Sequence, residues 1–371
     1  MNETSKKTIL ILTAKFGAGH VSAANAIKEY LLEKDDNINV VIEDFIGASM
    51  PKINGPMVKL YEKNTKYVPG LYNFYYYVKK SFDSSIDMSY KMYMPKLTTF
   101  INSVNPDLII STFPGAAACV NDLNLKNPDK KIPSITVITD VADSLEWIFK
   151  STDMYFVPSY EIKNRFVQKG LSPDIFRVTG VPVSKKFICD KKVRSNKLRL
   201  LLMGGGRGLF DFDETFMHWL DKYLDEYKDM LYVTIVTGSN KKLYDNLTEK
   251  NPLQNIDVKG FVTNMPDLLK EYDLVLTKSG GATLFEAISS NTPMIVKNPK
   301  VGQEIENAKF IRDKGIGILY DRDEDLKNII KSLLKGELNS RIIFMEKNIT
   351  EFKKTMHPDK IADYIFELIN D

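Results

Sequence analysis

Short continuous apolar runs alternate with stretches of helical period along most of this chain. The first, 8–14 (TILILTA), is apolar throughout, as expected of a strand covered on both faces of a parallel sheet. A glycine turn follows at 15–20, and a helical pattern runs over 21–32. Further strands are predicted at 38–42, 108–111, 135–139, 154–157 and 176–179. A polar, basic stretch without periodicity, 184–197 (SKKFICDKKVRSNK), reads as an interdomain linker. The pattern restarts at 198–203, with strands to follow at 232–236, 256–259, 274–277, 293–296 and 317–319. Strands alternating with helices imply βαβ units, so the fold class is α/β: two Rossmann-like domains, each opening with a strand and a glycine loop. The expected boundaries are 1–190 and 191–356. The helix within 357–371 is compatible with either domain.

Both glycine loops are candidate sites. Phe16-Gly17-Ala18-Gly19-His20 lies between a buried strand and a helix, where glycines permit a tight turn and close approach of a ligand. With Ser22 it reads G-x-G-x-x-S, and Glu43 and Asp44 follow the next strand at the spacing of a ribose-binding acid. This is a partial dinucleotide fingerprint and the basis of a competing oxidoreductase reading. It leaves His20 unexplained. At a helix N-terminus the dipole keeps an imidazole neutral, as a general base requires; the alternative is a histidine that only caps the turn.

The second loop is Gly204-Gly205-Gly206-Arg207-Gly208, and a third glycine pair, Ser279-Gly280-Gly281, opens a helix after the strand 274–277. Glycine loops at the carboxyl ends of strands in one sheet describe a nucleotide site. Glu286 has two readings, acceptor for ribose hydroxyls or partner of Thr283 in a capping box. Gln303 and Glu304 likewise suit either sugar hydroxyls or the acidic first turn of a helix. Asp140 stands at the carboxyl end of a strand, a position more often functional than structural. Asp211-x-Asp213 and Asp321-x-Asp323 look like metal pairs but are better placed as helix starts.

Composition narrows the classes. A chain of 371 residues with 43% hydrophobic and 27% charged residues builds sizeable cores, and no apolar run reaches the roughly 18 residues of a membrane span. The opening residues hold too short an apolar run for a signal peptide. Cys119 and Cys189 make no disulfide framework, and three histidines without a cysteine cluster argue against a zinc site; a cytoplasmic protein fits best. A net charge of +3 gives no reason to expect nucleic acid. One segment departs from this even balance. Residues 61–100 carry eleven aromatics, and residues 51–100 hold eight lysines against Glu62, Asp83 and Asp87. Rings with lysines suit the interface of an anionic bilayer, Tyr72, Tyr76, Lys79, Lys80 and Lys91 among them; a packed insertion is the plain alternative.

At these residues the sequence resembles a known family. ILTAKFGAGH at 11–20, STFPG at 111–115, ITD at 138–140 with Trp147 beyond, TGVPV at 179–183, TKSGGATLFEA at 277–287 and GQEIENAKF at 302–310 stand in the family's order. So does a tyrosine stretch running from Leu60-Tyr61 to Pro69-Gly70-Leu71-Tyr72. Together they resemble the monogalactosyldiacylglycerol synthase and processive diacylglycerol glucosyltransferase group of glycosyltransferase family 28. The resemblance implies a GT-B fold, two facing Rossmann-like domains with the site between them. It implies an inverting transfer of a hexose from UDP-glucose or UDP-galactose to a diacylglycerol-type lipid, on the inner face of the membrane, without a cofactor or a metal in the site.

His20 and Asp140 are then the catalytic candidates. Gly19, Gly205, Gly206, Phe261, Val262, Ser279, Gly280, Gly281, Thr283 and Glu286 are candidates for the donor nucleotide, and Gln303, Glu304 and Asn307 for its sugar. Phe113, Pro114 and Trp147 fall on the acceptor side with the tyrosine–lysine segment. Three positions depart from the family: Ser144 replaces a histidine between the TD pair and the tryptophan, and Ser279 and Val301 stand where prolines are usual. A polyprenyl-linked or soluble acceptor, and a membrane-binding module without catalysis, are the other readings.

Overall fold

The structure, a computed structural model, describes residues 6–15, 19–49, 94–189, 197–206, 208–210, 213–227, 229–300 and 302–370. The candidates Tyr72, Tyr76, Lys79, Lys80 and Lys91 lie outside the described residues, as do Phe16–Ala18, Arg207, Asp211 and Val301.

The chain divides into two compact units. One comprises Met1–Lys185, Val301–Gln303 and Thr355–Asp371; the other comprises Lys186–Lys300 and Glu304–Lys354. In the first unit, strands β1 (Thr8–Thr13), β2 (Asn39–Asp44), β3 (Leu108–Ser111), β4 (Ser134–Val137), β5 (Met154–Val157) and β6 (Phe176–Val178) form one parallel sheet in the order β2-β1-β3-β4-β5-β6. Its helices are α1 (Gly19–Lys34), α2 (Phe45–Ser49), α3 (Met94–Val104), α4 (Pro114–Lys126) and α5 (Tyr160–Gln168).

The continuous apolar run of β1 has a simple physical cause. Ile9 and Ile11 point into a cluster with Ala24, Ile27 and Leu31 of α1, while Leu10 and Leu12 point the other way, onto Leu97 and Ile101 of α3 and Val120 of α4. Both faces are covered, so neither set of alternate positions is free to be polar.

The second unit repeats the plan with a different order. Strands β7 (Leu198–Met203), β8 (Leu231–Val236), β9 (Asp257–Lys259), β10 (Leu274–Thr277), β11 (Met294–Lys297) and β12 (Gly317–Tyr320) run β12-β11-β10-β7-β8-β9, all parallel. Around them stand α6 (Glu214–Leu224), α7 (Lys241–Asp245), α8 (Met265–Glu271), α9 (Gly281–Ser289), α10 (Gly302–Asp313), α11 (Asp323–Leu334) and α12 (Asn339–Lys353). Leu200 and Leu202 share a core with Phe216, Met217 and Leu220 of α6.

The last helix, α13 (Ile361–Asn370), puts Ile361, Ala362 and Ile365 into the core of the first unit beside α1, where Lys34 pairs with Asp363 at 2.9 Å. The linker read from the sequence is shorter than 184–197. Lys185–Phe187 form a 3-10 turn, the Ser290 hydroxyl donates to the Phe187 carbonyl, and the Lys353 ammonium donates to the Cys189 carbonyl at 2.8 Å. Among the described residues no helix is long and apolar enough to cross a membrane.

Candidate active site

In a doubly wound sheet, ligands bind at the carboxyl ends of the two strands from which the connections depart in opposite directions. In the first unit those strands are β1 and β3, and in the second β7 and β10. The candidate residues gather at both places.

His20 is the second residue of α1, at the carboxyl end of β1. Its Nδ1 lies 2.7 Å from the main-chain carbonyl of Thr112, the residue after β3. A carbonyl only accepts, so Nδ1 carries the proton and Nε2 the lone pair. Thr112 grips the histidine twice, because its Oγ1 also donates to the His20 carbonyl at 3.1 Å and lies 2.9 Å from Thr13 Oγ1. Phe113 meets the ring edge-on at 5.2 Å between centroids, and Trp147 lies at 6.3 Å. Burial lowers the His20 pKa to about 4, against the opposing pull of the Thr112 carbonyl. The sequence reading credited the helix dipole with keeping this ring neutral; burial is the larger cause.

Phe113 caps α4 with Pro114 in its first turn, and stacks on Phe45 of α2 at 5.5 Å. Asp140 follows β4 by three residues and is half-buried. Ser144 is 1% exposed, and its hydroxyl has no hydrogen-bond partner among the described residues. The acid of the dinucleotide fingerprint is otherwise occupied: the Asp44 carboxylate accepts the amides of Ile46 and Gly47 and so starts α2. One oxygen of Asp44 is thereby committed to the start of a helix.

In the second unit α9 begins at Gly281 with Gly280 as its N-cap, and no side chain caps it. The first amides of this helix are therefore free to meet an anion. Thr283 is already inside the helix. The capping box with Glu286 that the sequence suggested does not form, because its serine or threonine must stand at the N-cap. Glu286 is left half-buried, without a hydrogen-bond partner for its carboxylate among the described residues, and burial raises its pKa to about 7.

Behind the turn, the Ser279 hydroxyl donates to the Glu304 carbonyl at 2.9 Å, and the Asn307 amide donates to the Ser279 carbonyl at 2.8 Å. Asn307 is fully buried. Both side chains thus hold the loop that precedes α9. Gln303 and Glu304 occupy the first turn of α10, where Lys278 pairs with Glu304 at 3.4 Å. Phe261 and Val262 follow β9, and the Phe261 ring is 69% exposed.

The glycines divide into two kinds. Gly208 has φ +61°, and a Cβ there would sit 1.8 Å from the Thr237 carbonyl oxygen. Gly280 has an ordinary φ of −71°, and a Cβ there would meet nothing within 4 Å. The fold requires the first, whereas at the second the chain's own backbone and packing leave room for a side chain. Gly208→Ala is expected to destabilise the protein by about 2–4 kcal/mol in chemical denaturation. Gly280→Ala should cost less than about 1 kcal/mol. It should nevertheless weaken UDP binding at least about tenfold, as 1.4 kcal/mol of lost helix-end contact would. Equal UDP affinity for Gly280→Ala and wild type would refute the assignment.

Gly205 and Gly206 belong to the β7 loop, where the Gly206 carbonyl accepts the Ser239 amide, and Gly19 opens α1. Asp213 caps α6 through the Phe216 amide, and Asp323 pairs with Lys297, so these acids serve the fold. Among the described residues no group of three acids, histidines or cysteines is arranged to hold a metal.

Known proteins match this chain over nearly its whole length. The family model for monogalactosyldiacylglycerol synthase matches residues 20–183, and that for the glycosyltransferase family 28 C-terminal domain matches residues 199–360. The processive diacylglycerol beta-glucosyltransferase of Staphylococcus aureus (strain Newman) is 30% identical over 373 residues, which cover 96% of this chain and 90% of that protein. Among solved structures, the glycosyltransferase SnogD from Streptomyces nogalater aligns with a TM-score of 0.62 at 14% identity, covering 98% of this chain and 100% of that one. A UDP co-structure of MnaA from S. aureus aligns with a TM-score of 0.59 at 15% identity, covering 98% of each chain. At such identity the solved structures establish the fold alone, and with the two parallel sheets they give its class as GT-B.

Proposed function

The chain belongs to the glycosyltransferase family of that diacylglycerol glucosyltransferase, and on that premise we propose that it transfers a hexose from a UDP-sugar to a diacylglycerol-type lipid, inverting the anomeric carbon. The observation that carries the reading is the His20 ring, whose Nδ1 is committed to the Thr112 carbonyl and whose Nε2 keeps its lone pair. The acceptor hydroxyl gives its proton to Nε2 as its oxygen attacks the anomeric carbon. The bond from that carbon to the diphosphate breaks on the opposite face, and UDP leaves with the electron pair.

The free amides in the first turn of α9, from Gly281 through Thr283, meet the diphosphate charge, with Gly280 as the N-cap before them. Glu286 accepts from the ribose, the exposed Phe261 ring with Val262 flanks the uracil, and Gln303 and Glu304 hold the sugar. UDP-glucose or UDP-galactose is the donor, and the chemistry assigned here calls for no resident cofactor.

Incubation with radiolabelled UDP-glucose or UDP-galactose and vesicles containing diacylglycerol tests this. Label is expected in an organic-soluble glycolipid, with inverted configuration. Label from neither donor in that fraction would refute the lipid acceptor.

A lipid acceptor stays in its leaflet, so the enzyme must work at the membrane surface. The tyrosine–lysine segment within residues 51–100 supplies rings to insert and lysines to attract anionic headgroups, on the inner face of the cell membrane. The triple substitution Lys79→Glu, Lys80→Glu, Lys91→Glu is expected to abolish most binding to anionic vesicles at physiological salt, with UDP affinity intact. Vesicle binding equal to wild type would make the segment a packed insertion.

A further inference from the structure

A second oxygen faces His20 Nδ1. The hydroxyl of Thr139, two residues past the end of β4, lies 3.0 Å from it. Thr139 is buried, at 3% exposure. The strand ends thus present a row of threonines, Thr13 ending β1, Thr112 after β3 and Thr139 after β4, and two of them converge on one ring nitrogen.

We propose that Thr139 is a positioning residue for His20, holding the Nδ1–H in a fork with the Thr112 carbonyl so that Nε2 remains the proton acceptor. The proposal rests on His20 being the base of the reaction proposed above. A hydroxyl alone would tolerate either tautomer, since it both donates and accepts; the carbonyl tolerates only one. Together the two oxygens select the tautomer and fix the plane of the ring.

The fork has a chemical consequence. When Nε2 takes the acceptor's proton, the imidazolium shares its Nδ1–H with two neutral oxygens. Hydrogen bonds to a carboxylate are about twice as strong as those to neutral oxygens, so this fork stabilises the charged ring less than an aspartate would. The ring is accordingly a weak base held in a fixed direction, with burial and the Thr112 carbonyl as the causes of its shift among the described residues. Thr112 is anchored independently through Thr13 and the His20 main chain, so removing the Thr139 hydroxyl leaves half of the fork in place.

The test is a set of three variants of the full chain, read by imidazole nitrogen NMR and by steady-state kinetics. The chain has three histidines, so His20→Gln assigns the His20 signals by subtraction. Wild type should show the Nδ1–H tautomer with a slowly exchanging proton. Thr139→Val, which keeps the shape, should give a faster-exchanging Nδ1 proton, the tautomer still being set by the Thr112 carbonyl. Its kcat should fall about 3- to 10-fold, the size of one neutral hydrogen bond, with donor KM and UDP affinity unchanged. Thr139→Ser should restore both readouts. Wild-type NMR signals and kcat in Thr139→Val would overturn the proposal, and so would equal impairment of the serine and valine variants, which would mean packing. A fully active His20→Gln would instead overturn the base assignment itself, whatever the NMR of the Thr139 variants shows.

Discussion

His20→Ala is expected to lower turnover at least about 10²-fold while leaving UDP affinity nearly unchanged, because a base acts on the chemical step and not on nucleotide affinity. Burial holds the ring's pKa at about 4, so it is unprotonated throughout the neutral range. The acid limb of kcat/KM assigned to His20 should therefore fall below pH 5, well under the 6.5 of an ordinary histidine. The sign for folding follows from the same shift. The unfolded chain binds a proton below pH 6.5 and the folded one only near 4, so the wild type loses stability as pH falls through that window and His20→Ala loses less. Turnover of the alanine variant within a few-fold of wild type would return His20 to a structural role.

Glu286→Gln is expected to weaken UDP binding by about 1.5–3 kcal/mol in calorimetry, the loss of a charge-assisted acceptor. With no capping box at this position, the substitution should not destabilise the helix. The pH dependence separates ligand from fold. Burial raises the Glu286 pKa from 4.5 to about 7, so the folded state holds a proton that the unfolded state has released between those values. Stability contributed by this group is present below pH 4.5 and is lost as pH rises through 7. UDP affinity should move the opposite way, rising with pH through 7 in the wild type as the carboxylate ionises. Glu286→Gln should lack this component of both profiles. Unchanged affinity with Gln at 286, at pH 8, would remove Glu286 from the nucleotide site.

The strands were legible because their burial on two faces erases the alternation that a one-sided sheet shows. The run at 108–111 and the run at 154–157 match the observed bounds. Strand order was not legible. Nothing in the pattern distinguishes β2-β1-β3 in one unit from β9-β8-β7-β10 in the other, since the order depends on which way each connection crosses. The family resemblance is confirmed over both halves.

Local motifs located His20 and the Gly280–Gly281 turn. They did not reveal Thr112 and Thr139, which lie 92 and 119 residues from His20 and meet it only because three strand ends are adjacent. The available signal was a threonine at or just after each of β1, β3 and β4. The motif named Ser279 and Asn307 but not the hydrogen bonds by which they hold the loop, because a motif records which residues are near one another and not which way they face. Thr283 and Glu286 had the right spacing for a capping box but the wrong starting point, since the helix begins two residues earlier.

Placement of α13 in the core of the first unit has a consequence for how the chain becomes a protein. Synthesis proceeds from the N-terminal side, and the sheet of the first unit is spelled out by residue 178. Its hydrophobic cluster nevertheless lacks Ile361, Ala362 and Ile365 until the ribosome has made almost everything else. Residues 186–300 and 304–354, by contrast, contain their whole sheet and can close first. At about 5–20 residues per second, the interval between 178 and 365 lasts roughly 10–40 seconds. During that time the groove beside α1 is an apolar surface without its cover. The nascent first unit is thus a natural client for a chaperone, and a fragment ending at the Lys185–Lys186 boundary would carry the same uncovered groove permanently.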